Sequence, residues 1–557
     1  MKFFTRHFIL YSFLLGCLSA EAQNCNCDFT IPLNTTTING TSLGVQPGDT
    51  ICLLAGQRTF LYFKNIIGDS LHPIVIINKG GAFNVMNTTY SYGIRVAQSR
   101  YFRFTGTGVD SIKYGIKILQ TAPNCNGLSL DNLATNFEID HFEIANTGFA
   151  GINSKTQPTC DGTANRGVFT QYSVSIHDNY IHDTGGEGMY IGHSFYNGYC
   201  QTCNGVPDTL YPHDIIGMRI YNNIIENAHW DGMQVGCVVE DCEIYNNVIT
   251  NYGIDKVTSQ NAGLQIGGGT TGKCYNNFVA NGSGIGINVF GTGYNFVYNN
   301  IVLNAGQNYF PNDPSKFVHG IFCADRSTVP GSPFNFINNT IINPKTDGIR
   351  MTSTLSANNE IRNNIIVHPG SIGAYSNPNT SYVNLMTTAP TFVSNNYYAP
   401  TAAEVQFRDT LNMNYRVLGT SPVKDAGVDV SSMGVIIDYD SLLRFNYGSY
   451  DIGAFEYHPE NIWTGAKSSL WNDPANWSEQ SIPIVEDHVI IPGGTPFVPE
   501  ILSGTYICNH LIIDAGAEFT MHPDATLTIM GNLTIQPGGI LNNNGLISLK
   551  GNLANLN

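Results

Sequence analysis

Four acidic residues recur at one place in a repeated phrase. Glu187, Asp231 and Asp255 each fall eight positions after an asparagine (Asn179, Asn223 and Asn247), and Asp347 falls eight after Asn339. If the phrases stack, these carboxyls lie on neighbouring turns of chain about 4.8 Å apart, the spacing of paired strands. Like charges that close repel unless a proton or a cation offsets them. One chemistry is acid–base cleavage by a carboxyl pair, for which a retaining glycosidase wants about 5–5.5 Å. The other is a calcium site with oxygen ligands from Glu187, Asp231 and Asp255. Taken singly, each also reads as turn chemistry, because Asp-Gly and Glu-Gly favour bends.

The flanking residues add to this. "HDTGGEGMYIGH" and "NAHWDGMQVG" bring His182, His193, His229 and Trp230 to the same phrases. Imidazoles exchange protons near neutral pH, and an indole gives a face for a sugar ring. His229 joins Glu187 and Asp231 as a catalytic candidate. Lys256 joins them as a base that could remove a proton next to a uronate carboxylate. Candidates for contact with substrate are His182, His193, Trp230 and one alternating column: Tyr190, Gln234, Gln265, Asn288, Phe322 and Arg350. The competing reading of that column is a solvated sheet face.

The elements that must position these groups are repeats. Aligned on the second Asn of each pair, the copies are "IHDNYIHD" (Asn179), "IYNNIIEN" (Asn223), "IYNNVITN" (Asn247), "CYNNFVAN" (Asn277), "VYNNIVLN" (Asn300), "FINNTIIN" (Asn339), "IRNNIIVH" (Asn364) and "VSNNYYAP" (Asn396). A degenerate copy, "IDHFEIAN", puts His141 at the Asn place. Such self-similarity predicts a solenoid. Stacked Asn side chains form an amide ladder at one bend. A second column, four positions on, contains Asp183, Asn227, Asn251, Asn281, Asn304 and Asn343. Next come "GMYIG", "GMQVG", "GLQIG", "GINVF", "GIFCA" and "GIRMT", strands whose first and third apolar residues face inward.

These phrases resemble the right-handed parallel β-helix proteins of the pectate-lyase-like superfamily, over about residues 135–400. "VQPGDTICLLAGQRTFLYFKNIIG" is similar to the opening coils of secreted polysaccharide lyases. "IDYDSLLRFNYGSYDIGAFEY" is similar to the segment that finishes the solenoid in bacterial surface β-helix proteins. "IWTGAKSSLWNDPANWSEQSIP", with three of the four Trp residues, resembles modules of exported Bacteroidetes proteins. The resemblance implies a polysaccharide partner and a lyase or glycoside hydrolase. The alternative is a surface protein or adhesin that binds glycan without cleaving it. Related lyases use Lys or Arg as base. Lys256, Lys273, Arg219 and Arg350 are available, and none sits in a matching motif.

The whole chain fits an all-β reading. Of 557 residues only 12% are charged, 58 are Gly, and no stretch has helical periodicity. A net charge of −16 argues against nucleic acid. Lys2, Arg6, the apolar run Phe8–Leu18 and Ala20-Glu21-Ala22 read as a cleavable export signal over 1–22, with lipidation at Cys17 in "LLGC" as the competing reading. An extracellular or cell-surface monomer with no transmembrane segment is expected. Twelve later Cys residues suggest disulfides rather than zinc at Cys200-x-x-Cys203. The expected organisation is a β-helix over 23–458, with cap coils 28–110, core coils 135–400 and a closing segment 401–458. A β-rich module over 459–557 follows, and its pattern is still running at "NLANLN".

Overall fold

The computed structural model describes residues 26–313, 315–370, 381–444 and 449–556. The export signal, Cys17 and Cys25 lie outside the described residues. Among the described residues α-helix is confined to Gly40–Leu43 and Ala402–Val405. Nearly all other regular structure is short strand stacked in parallel.

Each coil supplies three strands. In one coil these are Thr170–His177, Tyr180–Thr184 and Met189–Ile191. They pair in parallel with Asp214–Tyr221, Ile224–Ala228 and Met233–Val235 of the next coil. The third strands build a twelve-stranded sheet from Thr37–Asn39 to Val383–Leu385. The first and second strands share a 23-stranded sheet that bends at the Asn pair. Inward Ile, Val, Met and Phe side chains fill the bore as one continuous core.

The chemistry of the bend explains the phrase. The first Asn of each pair is left-handed, with φ 55° at Asn222, 54° at Asn246 and 53° at Asn276, a conformation Asn tolerates better than most residues. The second Asn points inward, and its Nδ2 donates to Oδ1 of the next. The distance is 3.0 Å at each step from Asn179 through Asn223, Asn247, Asn277, Asn300 and Asn339 to Asn364, and 2.8 Å at the last step to Asn396. At the second bend Asn227 donates to Asp183 at 3.0 Å and Asn251 to Asn227 at 3.2 Å. Gly188 is required before the third strand, because a Cβ there would lie 2.4 Å from Gly232 O. One aligned residue is corrected. Phe142, not His141, holds the ladder place: its N–H donates to Asn179 Oδ1 at 2.9 Å, and His141 takes the left-handed place at φ 59°.

The closing segment runs back along the flank of the solenoid. The left-handed asparagines point their amides outward, and the returning chain accepts from them. Asn276 donates to Tyr439 O (3.3 Å), Asn299 to Ile437 O (2.9 Å), Asn338 to Gly453 O (3.0 Å) and Asn363 to Val428 O (2.8 Å). Arg444, fully buried, ties this strap to Asn299 Oδ1 at 2.8 Å and Glu456 Oε2 at 3.2 Å. Asn222 and Asn246 lie beyond its reach and are exposed.

A second, smaller parallel stack follows, with strands Glu460–Ile462, His488–Ile491, His510–Ile513, Leu533–Ile535 and Leu553–Asn555 on one side. Its own core holds Trp463, Trp471 and Trp477, packed edge to face at 4.6–5.0 Å. Disulfides join Cys27 to Cys52 and Cys160 to Cys203, and Cys200 is a free, exposed thiol. Among the described residues no helix is long and apolar enough to cross a membrane.

Candidate functional site

The outward face of the twelve-stranded sheet is a groove. Tyr190, Gln234, Gln265, Asn288, Phe322 and Arg350 stand side by side on successive strands, as their alternation predicts. The face is not solvated, however. Inserted loops cover it, and Gln234, Gln265 and Asn288 are only 4–6% exposed. Two of these loops meet where Asn197 Nδ2 donates to Arg326 O at 2.9 Å. The amides of the column are largely committed to one another. Asn288 Nδ2 donates to Gln265 Oε1 (3.1 Å), Gln265 Nε2 to Gln234 Oε1 (3.0 Å) and Gln234 Nε2 to Ser194 Oγ (2.9 Å), which contacts Tyr190 OH at 2.5 Å.

Glu187 and Asp231 lie along one edge of this groove, each one residue before the Gly that leads into a strand. Both are fully buried. Gly188 N–H donates to Asp231 O at 3.0 Å, so their coils are adjacent. Asp231 Oδ1 accepts from Ala262 N at 2.7 Å. Its Oδ2 and both carboxyl oxygens of Glu187 are buried with no protein partner. Burial pushes Glu187 up to about 7, with its own backbone N–H and then the Lys155 ammonium pulling the other way. Burial also holds Asp231 well above the usual carboxylate range, reinforced by the charge of Glu187 and opposed by Arg326. An acid kept protonated near neutral pH can donate that proton to a leaving group.

Two cations in the groove had not been singled out. Lys155 Nζ sits 3.3 Å above the Tyr190 ring. Its signal was present, because "GINSK" is one more copy of the third strand with a Lys just past its end. Arg326 lies 4.0 Å above the Phe290 ring, on a loop with no repeat phase to announce it. Phe149, also overlooked, packs on Trp230 at 5.5 Å and Tyr190 at 6.4 Å.

Other expected members are elsewhere. Asp255 is not in the acidic column; Ala262 takes that place, because the stretch from Asn251 to Gly263 is seven residues longer than that from Asn227 to Gly232. Asp255 is exposed and bonds His229 Nδ1 at 2.9 Å, which occupies the imidazole. The trio Glu187, Asp231 and Asp255 therefore does not fit a calcium ion. Among the described residues only Glu138, Asp140 and His177 bring three ligand atoms within 4.8 Å, and Arg103 already bonds Asp140 at 2.8 Å. Lys256 stands over Phe310 at 5.8 Å on the inserted loop. His182 belongs to the other sheet, stacked on Tyr180 at 4.3 Å and bonded to Asp183. His193 is buried beside the groove, held by Gln157 at 2.8 Å and pushed down to about 4 by burial. Asp347 repeats the geometry of Asp231 downstream, accepting from Ser381 N at 2.9 Å, with His319 at 3.2 Å and Arg350 at 3.5 Å.

Residues 213–396 match the family model described as a right handed beta helix region, which fixes the hand of the solenoid. Residues 462–556 match a domain of unknown function (DUF8693). No curated protein gave a significant sequence match. Similar solved structures include a GH136 lacto-N-biosidase from Eubacterium ramulus, at 11% identity and TM-score 0.42 over 64% of this chain; the match spans 62% of that protein, less than two thirds of its length. Pectate lyase Pel9A is 14% identical at TM-score 0.35, over 75% of this chain and 90% of that one. The PL6 family alginate lyase AlyGC is 13% identical at TM-score 0.35, over 93% and 75% respectively. The architecture is a right-handed parallel β-helix.

Proposed function

We propose that this chain binds an extended polysaccharide along the groove of the twelve-stranded sheet and cleaves it hydrolytically beside Glu187 and Asp231. One observation carries the reading: two adjacent, buried carboxyls, one pushed up to about 7, with three oxygens that have no protein partner. In this reading Glu187 is the general acid that protonates the leaving oxygen. Asp231, anchored by Ala262 N–H, is the second carboxyl, and Trp230 offers a ring face to the sugar. His229, tied to Asp255 at the surface, is left outside the reaction.

A second reading, glycan binding without cleavage, is favoured by the closure of the site, since neither carboxyl is exposed. One experiment separates the two. The protein is incubated with acidic and neutral polysaccharides, and new reducing ends and unsaturated uronate absorbance are followed. Hydrolysis yields reducing ends without the absorbance, and Glu187→Gln and Asp231→Asn each lower it by about 10²–10⁴-fold. Absorbance would select a lyase instead. Full turnover in both variants would remove the pair from the mechanism, and retention of polymer without products would select the binding protein.

A further inference from the structure

The groove floor is a relay in which each amide donates to the next, and it ends in an acceptor without a partner. Asn288 spends its Nδ2 on Gln265, while its Oδ1 is buried with no partner. At the other end of the same column Asn153 Oδ1 is likewise buried and unpaired. Both residues are more than nine-tenths buried, at 8% and 6% exposure. Leaving such an acceptor without a donor costs about 1–3 kcal/mol.

Each of these two asparagines lines a cavity. The upstream cavity, about 440 Å³, is polar: Asn153 shares it with Lys155, Gln157, Thr159, Thr163 and the Arg95–Asp131 pair. The downstream cavity, about 240 Å³, is aromatic: Asn288 shares it with Phe290, Phe322, Tyr309 and Arg326. Between them stand Tyr190, Gln234 and Gln265, with Glu187 and Asp231 along the edge. Four strand-to-strand steps separate Asn153 from Asn288, or about 19 Å, the reach of roughly four pyranose rings.

We infer that the groove grips its glycan at two end subsites, upstream at Asn153 and downstream at Asn288, and so takes internal stretches of at least four sugar residues. This rests on the reading of the groove as a polysaccharide site. Sugar hydroxyls are the donors both carbonyl oxygens lack. The upstream subsite holds its ring by hydrogen bonds and the Lys155 ammonium, and the downstream subsite holds its ring between aromatic faces. The central amides, already paired, give the middle of the chain little grip. Affinity therefore comes from spanning both ends, and dimers, which reach one end only, bind weakly.

The test uses the full chain carrying Glu187→Gln, titrated calorimetrically with oligogalacturonate, oligomannuronate, cello- and laminari-oligosaccharides of two to six residues. In the series that binds, affinity is expected to rise at least tenfold from dimer to tetramer and less than about threefold beyond the pentamer. Asn153→Leu and Asn288→Leu should each cut tetramer affinity about five- to tenfold. Should either fail to fold, Thr163→Trp and Ser259→Trp, at exposed positions on the cavity walls, are expected to block the same subsites. Tetramer binding no tighter than dimer binding, or a length dependence untouched by these substitutions, overturns the two-subsite inference while leaving glycan binding intact. No binding in any series overturns both this inference and the functional reading beneath it.

Discussion

Glu187 keeps its proton because burial penalises its charged form. Activity is therefore expected to fall as pH rises through about 7, and a pH profile of kcat/KM reads this limb directly. Lys155 lowers that value, so Lys155→Met should move the limb to higher pH, whereas a merely structural role would leave it in place. A stability consequence has its own sign. Folding favours protonated Glu187, so the fold is at full strength below the ordinary glutamate value of 4.5 and weakens as pH climbs through about 7. Glu187→Gln removes that penalty. It is expected to stabilise the protein by roughly 3 kcal/mol near pH 8 and by little near pH 4, as measured by denaturant unfolding at both. Periodicity alone singled out Glu187 and Asp231, because residues on adjacent coils inherit their neighbours from the repeat. It failed for Asp255, since an insertion of irregular chain between bend and strand breaks the count. Nor could it reveal that His229 would be captured by that same Asp255.

The Asn ladder is the element most exposed to a single change. Asn277 donates to Asn300 Oδ1, Ile244 O and Tyr275 O, each at 3.0 Å, and accepts from Asn247. Asn277→Ala leaves several buried groups without partners at once, and an equilibrium unfolding measurement should show a loss of about 3 kcal/mol or more. Asn246→Ala, at an exposed left-handed position, should cost only about 1 kcal/mol. Strands, bends and ladder were legible because each coil repeats the same local solution: apolar residues inside, a left-handed Asn, then an amide turned into the stack. What covers the groove was not. Loops such as 192–198 and 324–328 obey no period, and their contact at Asn197 and Arg326 spans 129 residues. That is why the substrate-contact column, whose competing reading was a solvated sheet face, is a buried floor with its amides bonded to one another.

At the scale of the whole molecule, ion pairs with little solvent join the solenoid to the small C-terminal stack. Arg408 bonds Asp487 and lies 3.7 Å from Glu479, while Arg416 lies 3.9 Å from the same Glu479. Burial raises Glu479 to about 7 even with both arginines near. Breaking such a pair from one side strands the other charge, at about 3–5 kcal/mol. Arg408→Met is therefore expected to loosen this junction, and limited proteolysis between residues 458 and 488 should speed up while cleavage within the solenoid does not. The pairing of Arg408 with a residue 79 positions away has no counterpart in any repeat, so composition could suggest two stacks but not their join. The returning strap has a consequence for assembly in time. Asn276 finds its partner 163 residues further along the chain, so its coil emerges from the ribosome, and from any export channel, long before the segment that completes it. Coils carrying Asn222 and Asn246 are finished as soon as their neighbours arrive, whereas those from Asn276 to Asn363 wait, half-clothed, until the chain doubles back.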